Sequence, residues 1–210
     1  MSELVTRAVT GVALVVLALM AAVVGGYYFA VLAAAAATAI FYEWSRIVRG
    51  WGAGWMIGGF LYALVPAISL LWIRDRADNG LALILWVFIV TWTVDIGAYA
   101  AGRSFGRRKL APAISPGKTW EGLYGGVAAA AVLGGIWVFI TGLSPMLYLA
   151  APIFAVAAQA GDLFESWMKR RAGIKDSGDW LPGHGGVLDR LDGFVVVASL
   201  TALLQVAGLL

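Results

Sequence analysis

Seven apolar stretches, each roughly 20 residues long and almost free of charge, occupy residues 5–24, 26–42, 52–73, 81–101, 122–140, 146–164 and 194–210. Runs of that length can be buried only by lipid, and a backbone inside lipid must pair all its own polar groups, as a helix or a closed barrel does. The alternating pattern of barrel strands is absent, so the sequence predicts helices. Composition agrees, with 61% hydrophobic and 13% charged residues, against about 25% charged in a soluble domain. The expected fold class is an all-α integral membrane protein, a polytopic bundle of about seven transmembrane helices. It is expected to form a single membrane domain over residues 1–210, with N-terminal spans in 1–80 and a second half, 81–210, that holds the two long polar segments. Arg7 gives the first run the look of a secretory signal, but six more runs follow, so an uncleaved first span is expected.

The basic residues orient the bundle. If the N-terminus lies inside, thirteen of the 15 Lys and Arg residues fall on the inner side, and only Arg74 and Arg76 fall outside. The positive-inside rule therefore predicts N-in/C-out in the cell (inner) membrane. Both long polar segments, 102–121 and 165–193, then face the cytoplasm, where nucleotides are found. Zero cysteines exclude disulfides and thiolate chemistry, and a single histidine, His184, excludes a multi-histidine metal cage. No nucleic-acid partner is expected.

Segment 165–193 gathers Lys169, Arg170, Lys175 and Arg190 with several carboxylates around Pro182-Gly183-His184-Gly185-Gly186. The glycines favour turns and let backbone N–H groups approach an anion, and the cations supply charge-assisted bonds to phosphates. Carboxylates in the same segment repel phosphate unless a metal stands between them. Asp189 and Asp192 lie at i and i+3, on one face if the last helix has begun by Leu188, and Asp162 at the inner end of the sixth run is a third candidate ligand. Oxygen-only ligands beside phosphates point to magnesium and to phosphoryl or nucleotidyl transfer. The plainer alternative is a cytoplasmic loop whose charge only fixes topology.

Segment 102–121 contains Arg107-Arg108-Lys109 and Ser115-Pro116-Gly117-Lys118-Thr119. Comparison with a P-loop fails because Pro112 stands where that motif needs glycine. What remains is a proline-glycine turn presenting a hydroxyl and an ammonium. Asp95, in the fourth run, is costly in lipid and should face a wet cleft about 10 Å from the inner end at Gly102. Gly54/Gly58 and Gly122/Gly126 have the small-residue spacing of close helix contacts.

Ser166-x-x-Lys169-Arg170, then Lys175-Asp176, then Pro182-Gly183-His184-Gly185-Gly186-x-x-Asp189-Arg190-x-Asp192 resembles the signature of the phosphatidate cytidylyltransferases, or CDP-diacylglycerol synthases. Asp95-x-Gly97-Ala98-Tyr99 and Ser115 to Gly122 are similar to that family's upstream blocks. The resemblance implies an enzyme of phospholipid biosynthesis that condenses CTP with phosphatidate, giving CDP-diacylglycerol and pyrophosphate, with Mg2+ and without a covalent intermediate. It implies catalytic roles for Lys175, Asp176, Asp189 and Arg190. Substrate binding falls to Asp95, Ser115, Lys118, Ser166, Lys169, Arg170, Gly183, His184, Gly185 and Gly186, and metal binding to Asp162, Asp189 and Asp192. Most bacterial relatives carry additional N-terminal spans, so a homodimer that completes the wall of the lipid groove is one expectation. The rival readings are a CTP-dependent lipid (polyprenol-type) kinase, another CDP-lipid synthase and, from a different class, a transporter lined by Asp95.

Overall fold

The computed structural model describes residues 3–181 and 183–210, so Pro182 of the glycine-rich turn lies outside the described residues. The chain runs α1 (Glu3–Val24), α2 (Gly26–Ile47), α3 (Ala53–Arg74), α4 (Gly80–Phe105), β1 (Lys109–Ala111), β2 (Ser115–Thr119), α5 (Trp120–Thr141), α6 (Met146–Arg171) and α7 (Leu188–Val206). Among the described residues, α1 to α6 are long and apolar enough to cross a membrane. The seventh expected span differs: α7 starts at Leu188 and ends at Val206, so its first turns carry Asp189, Arg190 and Asp192.

Backbone chemistry sets the helix ends. Gly142 closes α5 in the left-handed conformation (φ 67°), donating its N–H to the Val138 carbonyl, a geometry glycine adopts without steric cost. Thr119 caps the other end of α5, its hydroxyl oxygen accepting the Gly122 N–H at 3.1 Å. α4 is the central helix. Ile84, Trp86, Val87, Val90 and Val94 are fully buried and pack with Ala151 and Ala155 of α6 and Val197 and Ala198 of α7. α4 and α5 approach through small residues: a Cβ on Gly126 would lie 2.7 Å from the Val94 carbonyl oxygen, and one on Gly97 would lie 2.7 Å from the Ala129 Cβ. Backbones this close gain dispersion contacts that lipid cannot replace. Gly54 and Gly58, with the same spacing, face open space.

One local expectation is corrected and another gains detail. Residues 115–119, expected as a proline-glycine turn, form β2, which pairs antiparallel with β1 in the register Lys109 to Thr119 and Ala111 to Ser115. The turn falls earlier, closed by the Ile114 N–H on the Ala111 carbonyl. In a two-stranded ribbon both strands are edges, where proline such as Pro116 is tolerated. The polar segment expected from residue 165 opens inside a helix, because α6 continues to Arg171. Hydropathy falls at Phe164, but the helical hydrogen bonds run on.

Candidate active site

The continuation of α6 puts Asp162, Glu165, Ser166 and Lys169 at i, i+3, i+4 and i+7, on one helical face. α7 brings Asp189 and Asp192 to that face, and Gly161 allows the approach, since a Cβ there would lie 2.7 Å from Val196 Cγ2 and 3.2 Å from the Asp192 carbonyl oxygen. Together with Asp95 of α4 and Asp176 of the α6–α7 loop, these elements enclose a cavity of about 330 Å³ lined by Asp95, Asp162, Glu165, Lys169, Asp176, Asp189, Arg190 and Asp192.

Two lysines pair with the acids. Lys118 Nζ, from β2, lies 2.6 Å from Asp162 Oδ2 and 3.0 Å from Gln159 Oε1. Lys169 Nζ bridges Glu165 Oε2 at 3.1 Å and Asp189 Oδ1 at 2.5 Å. The other Asp189 oxygen accepts the backbone N–H groups of Ser177 and Gly186, both at 2.9 Å.

The remaining site candidates fall around this core. Arg190 donates to the His184 carbonyl from Nε (2.9 Å) and Nη2 (2.8 Å), which ties the glycine turn to α7. Gly183 and Gly185 hold positive φ (76° and 82°), and a Cβ on Gly185 would press on Asp189 Oδ2 at 2.8 Å. The His184 ring lies beside Gly11 of α1, and its buried Nδ1 has no hydrogen-bond partner among the described residues. Ser166 Oγ donates to Asp162 Oδ1 at 3.4 Å. Arg170 donates to the carbonyls of Ile114 and Ile174, so it joins the hairpin to the end of α6 and does not line the cavity. Lys175 is exposed beside Asp176, and Ser115 opens β2 away from the cavity wall.

Two acidic residues to which sequence reasoning assigns no role stand out. Glu165 is 2% exposed, its Oε1 has no partner among the described residues, and its carboxylate lies with those of Asp162 and Asp192 within 4.8 Å of one another. Its spacing from Asp162 and Lys169 is the signal that reveals it once α6 is extended. Glu43 of α2 is 1% exposed and contacts the α6–α7 loop. Nothing local in the sequence marks that contact.

The donor set fits a hard divalent cation. Six carboxylates against two cationic side chains line the cavity, a field that would repel a polyphosphate until positive charge is added. Three crowded carboxylates, one carrying an unpartnered buried oxygen, offer the all-oxygen environment that Mg2+ accepts.

The sequence profile of the cytidylyltransferase family matches residues 49–207. A protein of Brucella suis biovar 1 named phosphatidate cytidylyltransferase is 47% identical over 159 residues, which is 73% of this chain and 58% of that protein. Proteins of the same name from Pseudomonas aeruginosa and Bacillus subtilis are 40% and 47% identical over 177 and 128 residues, covering 81% and 60% of this chain and 65% and 48% of the relatives. The chain thus matches less than two thirds of the length of these relatives. The profile nonetheless spans every element that lines the cavity, and on that match the chain belongs to the cytidylyltransferase family.

Proposed function

We propose that the chain transfers CMP from CTP to phosphatidate at the cytoplasmic leaflet, giving CDP-diacylglycerol and pyrophosphate, with the N-terminus inside and a divalent cation bound. The observation that carries this reading is the convergence of Asp95, Asp162, Glu165, Lys169, Asp176, Asp189, Arg190 and Asp192 on one cavity, in a chain whose relatives carry the corresponding name. Thirteen of 15 basic residues on one side support the orientation.

A phosphate monoester has its second pKa near about 6, so phosphatidate presents an oxyanion at neutral pH and needs no strong base. In the reaction its oxygen forms a bond to the α-phosphorus of CTP, and the α–β bridging P–O bond breaks to release pyrophosphate. The obstacle is bringing one anion to another, so catalysis rests on positioning and charge neutralisation. Asp162, Glu165 and Asp192 would hold the cation, which when bound supplies positive charge to the phosphate oxygens. Lys118 and Arg190, anchored to Asp162 and the His184 carbonyl, are placed to neutralise phosphates at the rim. Lys175, exposed at the surface next to Asp176, reaches the outer phosphates of the nucleotide. Asp189 fixes Lys169 and the loop. Asp95 sits ten residues, about 15 Å of helical rise, before the end of α4 at Phe105. From the cavity wall it meets the lipid headgroup that enters there.

Product analysis with purified protein, CTP and phosphatidate in mixed micelles tests the reading. The expected products are CDP-diacylglycerol and pyrophosphate in equal amounts. CDP with a phosphorylated lipid, or ion flux with no CTP consumed, would overturn it.

A further inference from the structure

Glu43 is a buried carboxylate at the C-terminal end of α2, and its partners all lie more than a hundred residues away in the loop that leads into α7. Its Oε1 accepts the Val187 N–H at 2.9 Å, and its Oε2 accepts the Leu188 N–H at 2.8 Å and the Ser177 hydroxyl at 2.7 Å. Val187 and Leu188 begin α7, so the carboxylate sits where the unpaired N–H groups of that helix concentrate positive potential. The packing leaves no slack: a Cβ on Gly178 would collide with the Glu43 carboxylate, and one on Gly186 with Ser177 Oγ and Glu43 Oε2.

Ser177 faces two ways. Its hydroxyl goes to Glu43 and its N–H to Asp189 Oδ2. Asp189 is held by Lys169, and Lys169 by Glu165, whose carboxylate belongs to the acidic trio. A continuous line of polar contacts therefore runs Glu43, Ser177, Asp189, Lys169, Glu165, from α2 to the place where the cation would bind. Glu43 precedes residues 49–207, the part that matches the family profile.

We propose that Glu43 is a positioning residue for the cavity: it locks residues 177–188 in the one backbone arrangement from which Asp189 orients Lys169 and Glu165. This rests on the reading of the trio as a cation site, and the test reads cation binding and loop order separately from turnover. Groups that orient metal ligands typically set metal affinity by about 10–100-fold, and Glu43 acts on Glu165 through Ser177, Asp189 and Lys169.

The experiment measures Mn2+ affinity by electron paramagnetic resonance, and backbone amide exchange, on the full chain in micelles. The variants are Glu43→Gln, which keeps the shape but replaces one acceptor oxygen with a donor, and Ser177→Ala, which removes only the hydroxyl. Glu43→Gln is expected to weaken Mn2+ binding about 10-fold or more and to speed exchange at Ser177, Gly186, Val187 and Leu188 while the amides of α4 stay protected. Ser177→Ala is expected to weaken Mn2+ binding about 3–10-fold and serves if the glutamine variant fails to fold. Mn2+ affinity within twofold of wild type in the folded variants, even with a lowered melting temperature, would make Glu43 merely structural and overturn the proposal. A wild-type chain that binds no Mn2+ would overturn it too. A wild-type chain that binds Mn2+ but does not consume CTP would overturn the proposed function and leave this proposal to the Mn2+ comparison.

Discussion

Glu43 and Glu165 are the same side chain, each at most 2% exposed, yet their surroundings differ. Glu43 accepts hydrogen bonds from three donors, two of them backbone N–H groups at the start of α7. Glu165 shares one lysine with Asp189, keeps an oxygen without a partner among the described residues, and crowds against Asp162 and Asp192. A buried charge is costly unless it is paired and hydrogen-bonded. The satisfied glutamate holds the loop that leads to the site, whereas the crowded one has room for a cation from outside the protein. Buried acids thus divide by whether the fold has already supplied their partners.

That contrast can be broken or sharpened by substitution. The largest effect is expected at the crowded end, where Asp192→Asn should lower kcat by about 10³-fold with the helical content unchanged, because it loosens the cation whose positive charge would meet the reacting phosphates, and charge so placed is worth that order in rate. A steady-state assay alongside circular dichroism checks it. Next comes Lys169→Met, which leaves Glu165 and Asp189 facing each other without their shared cation. Removing one partner of a buried pair costs about 3–5 kcal/mol, so a clearly lowered unfolding midpoint in detergent is expected. Lys118→Ala removes a partly exposed ammonium from Asp162 and should raise the KM for CTP about tenfold, as loss of a charge-assisted phosphate contact does. The smallest effect is expected at Lys175, which is exposed and outside the cavity wall: Lys175→Ala should raise the KM for CTP by about threefold and leave kcat unchanged, a surface charge being largely screened. A KM equal to that of wild type would remove Lys175 from the site.

Much of this arrangement is legible in the sequence. Length and apolarity alone announce the helices, and the i, i+3 spacing puts Asp189 and Asp192 on one face as soon as α7 is known to begin at Leu188. What is not legible has a common physical cause, namely that hydropathy marks where lipid ends and not where hydrogen bonding ends. Glu165 sits just past the apolar limit at Phe164, although its helix continues to Arg171. Glu43 sits just past the apolar limit at Tyr42, and its helix continues to Ile47. Pro116-Gly117 reads as a turn because those residues favour turns, but pairing with β1 and the cap on α5 at Thr119 hold the stretch extended. The partners of Glu43 are set by tertiary packing over more than 130 residues, which no local spacing encodes.

The central claim is that Asp162, Glu165 and Asp192 hold a divalent cation on which CTP turnover depends. Its most direct test is a Mg2+ titration of CDP-diacylglycerol formation by purified protein stripped with EDTA, run on wild type and on Asp192→Asn. The account predicts no product in EDTA, saturable recovery with Mg2+ in the wild type, and a recovery curve displaced to higher Mg2+ in the variant. Undiminished product in EDTA, or superimposable curves for the two proteins, would contradict it.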